Sequence, residues 1–167
     1  MNDICKDRVD GLGISNDLPP YVKYFQEITI FETIEIPCDK PDSEKLSSVL
    51  VSPKVISDKL INTPIALSYE GQNLSGYKMV VQLNLDETIK YVARLPHQSM
   101  HVTYGSTVIK SVFVVVPSEI NGCSVKDLVR NNKYAITPYV EDVYAVMQDS
   151  RTFYKYVTIL VDVKFFT

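Results

Sequence analysis

The chain has 167 residues, 46% of them hydrophobic and 22% charged, with a formal net charge of -3. That size and balance fit one globular domain able to bury a core, and the slight acidity leaves no basic footprint for a phosphate backbone. Nucleic acid is therefore not an expected partner. The first residues, Met1 to Arg8, lack an apolar stretch, and no segment approaches roughly 20 uninterrupted apolar residues. The chain reads as neither exported by the usual signal nor inserted in a membrane.

Residues 1–24 read as an N-terminal arm: up to Pro20 they are polar, carry Gly11, Gly13, Pro19 and Pro20, and show no sustained period. Residues 25–167 read as one β domain. From Phe25 to Ile36, Ile28, Ile30, Ile34 and Ile36 share one parity, which predicts a half-buried strand with Glu32 as its one misfit. Asp42 is placed to cap a short helix with Leu46, Val49 and Leu50 on one face, stopped by Pro53. From Val81, the residues Leu83, Leu85, Ile89 and Tyr91 alternate with Gln82, Asn84, Asp86, Thr88 and Lys90, predicting a long strand whose apolar face is broken by Glu87.

Val112 to Val116 is continuously apolar, which predicts a central strand buried on both sides and ended by Pro117. Ser124 with Asp127 predicts a short capped helix ending near Asn131-Asn132. The last two strands flank Gln148-Asp149-Ser150-Arg151, whose short polar residues suit a turn. The final strand sets Val157, Ile159, Val161, Val163 and Phe165 on one face. With no internal repeat, the architecture expected is mainly β: an antiparallel β-sandwich or open barrel with one or two short helices, parallel pairing left open.

The C-terminal run Pro138-Tyr139-Val140-Glu141-Asp142-Val143-Tyr144, followed by Arg151-Thr152, closely resembles the end of the SPOCS domain of endospore-forming bacteria. The resemblance continues upstream through Ile36-Pro37, Lys40-Pro41-Asp42, Ser48-Val49, Val55-Ile56, Glu70-Gly71-Gln72, Leu74-Ser75-Gly76, Tyr91-Val92-Ala93, Gln98-Ser99-Met100-His101 and Val115-Val116-Pro117. It spans about Phe25 to Phe165, and its strength lies in nine weak pieces in one order. It implies a structural protein of the spore envelope, made in the mother-cell cytoplasm and assembled on the spore, with Pro37, Pro41, Asp42, Gly71, His101, Pro138, Tyr139, Glu141, Asp142, Arg151 and Thr152 as structural positions. Other coat proteins or peptidoglycan are the partners implied.

Catalytic and metal chemistry find little support. His97 and His101 would share one side of an extended strand, but no cysteine or carboxylate lies at ligand spacing beside them. No nucleophile elbow and no phosphate-cradling glycine loop is written. Glu141 and Asp142 are adjacent, so a strand points them to opposite faces, and an ion pair with Arg151 across the hairpin is the expected use. No catalytic residue, metal site or cofactor is assigned.

The odd cysteine count, Cys5, Cys38 and Cys123, leaves a thiol for an intermolecular disulfide once the environment becomes oxidising. A polar arm of this length on an isolated domain is expected to be disordered unless something orders it. The expected cause is docking on a neighbouring copy, through Ile4, Val9, Leu12, Ile14, Tyr21 and Tyr24, giving a homo-oligomer or filament, with folding back on its own domain as the alternative. Eleven tyrosines supply amphipathic contact area, and the same rings would suit sugar stacking, so a monomeric adaptor for peptidoglycan or a coat protein is the competing class.

Overall fold

The computed structural model describes residues 8–67, 69, 73–74, 76–105 and 108–167. Among the described residues twelve strands and one helix follow in order: β1 (Arg8–Leu12), β2 (Phe25–Glu35), β3 (Ser43–Asn62), β4 (Ala66–Leu67), β5 (Asn73–Leu74), β6 (Tyr77–Ala93), β7 (Met100–Tyr104), β8 (Val108–Val116), β9 (Glu119–Ile120), β10 (Cys123–Ser124), α1 (Val125–Arg130), β11 (Tyr134–Met147) and β12 (Thr152–Phe165). Eight of the strands form one sheet in the order β2-β12-β11-β1-β3-β6-β7, with β8 also paired to β6. β3 lies along one edge of β6 over its whole length, while β8 takes Tyr77 to Leu85 and β7 takes Thr88 to Val92 on the other edge. The protein is thus mainly β and mostly antiparallel, as expected, with β4–β5 and β9–β10 as separate two-stranded pairs.

Alternation builds the core. On β6 the side chains of Met79, Val81, Leu83, Leu85, Ile89 and Tyr91 are buried, as its parity predicts, and on β12 so are Phe153, Val157, Ile159, Val161 and Val163. Ile30, Ile34 and Ile36 of the first predicted strand join the same cluster. Within the final hairpin, Gln148 N–H donates to the Thr152 carbonyl at 2.9 Å and Arg151 N–H to the Asp149 carboxylate at 2.7 Å, closing the turn that the polar residues anticipate.

Four expectations change. The helix foreseen from Asp42 to Pro53 is instead the start of the 20-residue β3. Register shifts at Ser43/Lys45 and Leu46/Ser48 each insert an extra residue, so Leu46 and Val49 face the core although they are three apart. A bulge thereby imitates helical spacing. Val112 to Val116 is not a central strand: β8 pairs with β6 alone, and Phe113 is half-exposed under the Lys78 ammonium, 4.7 Å from its ring centre. The short helix after Ser124 is present, but the Ser124 side chain makes no capping hydrogen bond.

The fourth change concerns the arm. Arg8 to Leu12 is not free but fills the seam between the two halves of the sheet, antiparallel to β11 (Arg8↔Val146 to Asp10↔Tyr144) and parallel to β3 (Gly11↔Val49, Leu12↔Leu50). Gly11 is required there because a Cβ would lie 2.0 Å from the Val143 Cβ. Ser15 then holds the following segment to β11, its N–H on the Val140 carbonyl and its Oγ accepting from the Val140 N–H. Gly11→Ala is expected to lift β1 from the seam, so that amides of β1 and its β11 partners, protected in the parent, exchange rapidly with solvent. Unchanged protection in hydrogen-exchange mass spectrometry would contradict this placement.

Candidate functional site

The two carboxylates that interrupt otherwise apolar strand faces, Glu32 and Glu87, meet at one point. Lys155 lies directly opposite Glu32 on the neighbouring strand, and its parity on β12 turns it inward between Phe153 and Val157. Its Nζ donates to Glu32 Oε2 at 2.7 Å and to Glu87 Oε1, which reaches it from β6 on the facing half of the sheet. The side chains of Lys155 and Glu87 are each only 1% exposed. Lys110 of β8 approaches the other Glu32 oxygen at 4.0 Å. Burial pulls the Lys155 amine below the ordinary lysine range, while its hydrogen bond to Glu32 acts the other way. Glu87 Oε2 and Glu32 Oε1 are buried without a hydrogen-bond partner. Gly105 closes over the cluster, where a Cβ would stand 2.2 Å from Glu87 Oε2, and beside it a cleft of about 270 Å³ opens between Leu85, Glu87, Thr88 and Tyr104.

A second constellation gathers residues far apart in the chain. The Arg151 guanidinium donates to the Asp42 carboxylate at 2.5 Å and to the carbonyls of Ile36, Pro37 and Lys40 at 3.0, 2.8 and 3.3 Å. Ser150 Oγ also donates to Asp42, at 3.2 Å, and the Arg151 hydrogen bond holds that carboxyl below the usual carboxylate range. Tyr91 hydroxyl donates to the Pro41 carbonyl, and the His101 ring stacks on Tyr91 with centres 5.9 Å apart. Pro37, Pro41, Asp42, His101, Arg151 and Thr152 therefore surround one end of the terminal hairpin, clamping it to the β2–β3 connection.

The expected ion pair of Arg151 with Glu141 or Asp142 does not form, because Arg151 sits in the turn whereas Asp142 lies opposite Thr158 in the middle of the ribbon. A bulge between Val140 and Asp142 leaves Glu141 as the extra residue, and burial followed by repulsion from Glu27 raises its pKa. Pro138 and Tyr139 lie opposite Val161 and Leu160 on the same ribbon. His97 falls in the turn before β7, so it does not share a strand face with His101. Among the described residues no group of three His, Cys, Asp or Glu side chains is placed to hold a metal ion.

Cys38, in the β2–β3 connection, and Cys123, on β10, are exposed free thiols. Of the arm residues, Val9 and Tyr24 pack against the chain's own core, whereas Leu12, Ile14 and Tyr21 are exposed. Ile4, Cys5 and Gly71 lie outside the described residues. On the outer face of the β2–β12–β11 half, Phe31 stands 5.6 Å from Tyr154 and 4.9 Å from Tyr156, which is 6.0 Å from Tyr144. A cleft of about 480 Å³ lies between Asp58, Tyr77, Lys126 and Tyr134; the Tyr134 hydroxyl donates to Asp58 at 2.6 Å, and that bond pushes its pKa up to about 12. No helix among the described residues is long and apolar enough to cross a membrane.

No family model, no curated protein and no solved structure matches the chain.

The four-point Arg151 grip depends on a planar fork that an ammonium cannot reproduce. Arg151→Ala is expected to lower the thermal midpoint, and Arg151→Lys to recover less than half of that loss. Full recovery by lysine in a thermal melt would show that charge alone matters.

Proposed function

We propose that the protein is a non-enzymatic structural subunit of a bacterial spore envelope that assembles through its N-terminal strand into a fibre, coat layer or appendage. The observation that carries this reading is the seam strand. β1 is only five residues long, is held on both sides by strands of the same sheet, and is followed by a segment with left-handed backbone at Gly13 (φ 88) and Tyr21 (φ 57). Leu12, Ile14, Leu18 and Tyr21 along that segment remain exposed, Tyr21 at 99%. A short strand on a pliable tether is the element that copies of a chain exchange at little cost, and head-to-tail exchange yields rings or open filaments. The resemblance of the hairpin to the SPOCS domain supplies the spore envelope as the place, and the exposed Cys38 and Cys123 are available for cross-links between copies.

A second reading has its own support. The aromatic group Phe31, Tyr144, Tyr154 and Tyr156, with rings tilted against one another on the outer face, offers amphipathic area to sugar rings, which favours a monomeric adaptor for peptidoglycan.

Negative-stain electron microscopy of the purified full chain, with and without reductant, separates the two. Ordered fibres or rings that vanish when residues 1–20 are deleted are the expected result, and their loss in reductant would assign the cysteines a covalent role. Dispersed particles in both conditions, with pelleting on cortex peptidoglycan that survives the deletion, would overturn self-assembly in favour of the adaptor.

A further inference from the structure

We propose that the Lys155 side-chain amine condenses with the Glu87 side-chain carboxyl, forming an intramolecular isopeptide bond that ties β12 to β6, with Glu32 as the group that carries the proton.

The placement satisfies what the reaction needs. Nucleophile, electrophile and proton carrier are already in hydrogen-bond contact, Nζ touching Glu87 Oε1 and, at 2.7 Å, Glu32 Oε2. Holding reacting groups together in this way removes the entropy cost that makes such condensation slow between free molecules. The neighbours along each inward face are apolar and buried: Phe153 and Val157 beside Lys155, Leu85 and Ile89 beside Glu87, Ile30 and Ile34 beside Glu32. In such surroundings separated charges are disfavoured, which favours the neutral amine that attack requires. The lowered pKa of Lys155 acts in the same direction.

The step balances without oxidant or co-reactant. The Nζ lone pair attacks Cδ of the protonated Glu87 carboxyl and forms the C–N bond. Glu32 takes the proton released by nitrogen and returns it to the departing hydroxyl, and the C–O bond breaks with loss of one water. The cleft beside Glu87 and Gly105 gives that water a way out. An ammonium and a carboxylate are replaced by one neutral amide, and Glu32 is left with Lys110 as its counter-ion at 4.0 Å. The buried Glu87 Oε2, which lacks a partner, is the oxygen free to leave. None of this depends on self-assembly.

Intact-mass measurement of the denatured, reduced full chain tests it. The expected mass is one water below that of the sequence, and a protease digest contains a branched peptide joining Lys155 to Glu87. Lys155→Arg is expected at full mass, and Glu32→Gln, folded by circular dichroism, at full or only slowly declining mass. A folded parent chain at full sequence mass, with Lys155 and Glu87 recovered in separate linear peptides, would overturn the proposal, as would a water loss mapped to any other site.

Discussion

Folding turns on one buried cation, the ammonium form in which Lys155 enters the interior before any condensation with Glu87. Lys155 stands where the two halves of the bent sheet face each other, and it holds a carboxylate from the adjacent strand and another from across the interior. Taking a single charge out of water costs several kcal/mol, so a Glu32, Glu87 or Lys155 left alone in this layer would be strongly unfavourable. Only an arrangement that brings β2, β12 and β6 together satisfies all three. The cluster thus disfavours shifted registers: sliding β12 by one residue would turn Lys155 outward and bring Tyr154 or Tyr156 against the two carboxylates. Lys110 extends the contact to β8, so two edge strands, β2 and β8, are linked by charge where no backbone ladder joins them.

At the other end of the same strands, Arg151 organises the backbone rather than the core. Its guanidinium collects three carbonyls that the proline-bearing β2–β3 connection leaves without strand partners, and Asp42 neutralises it. β12 is therefore fixed at its start by Arg151 and again three residues into the strand by Lys155, while the five-residue β1 is held by backbone pairing to β11 and β3.

Much of the fold was legible in the residues. The parities of β2 and β6 are regular because each has one buried face, and β12 keeps the same period until Leu160 and Asp162 are buried too, on its other face. β3 was misread because its two early bulges reset the alternation and space Leu46 and Val49 as a helix would. The seam position of β1 leaves almost no local trace, since a five-residue strand containing a glycine looks like a tether; the signal was Gly11 itself, a residue whose missing side chain makes room for Val143. For the interior cluster, both misfit carboxylates stood out on their strands, but their partner hid in the polar-looking run Tyr154-Lys155-Tyr156, and Lys155 is recognisable only from its odd position between Phe153 and Val157. Linking them required the strand order, which no local pattern contains. Arg151 shows as an expected ion-pairing residue, but local sequence points it to Glu141 and Asp142, whereas its acid, Asp42, lies 109 residues away.

Lys155 belongs at the sheet junction because, as the ammonium present when the chain folds and before any condensation with Glu87, it neutralises two carboxylates. Urea unfolding of Lys155→Met, beside the triple variant Lys155→Met, Glu32→Gln, Glu87→Gln and a parent chain verified at full sequence mass, tests this. The single variant should lose about 3–5 kcal/mol, as expected for a buried pair broken on one side, and the triple variant should regain a large part of that loss. A single variant as stable as the parent, or a triple variant no better than the single, would contradict the account.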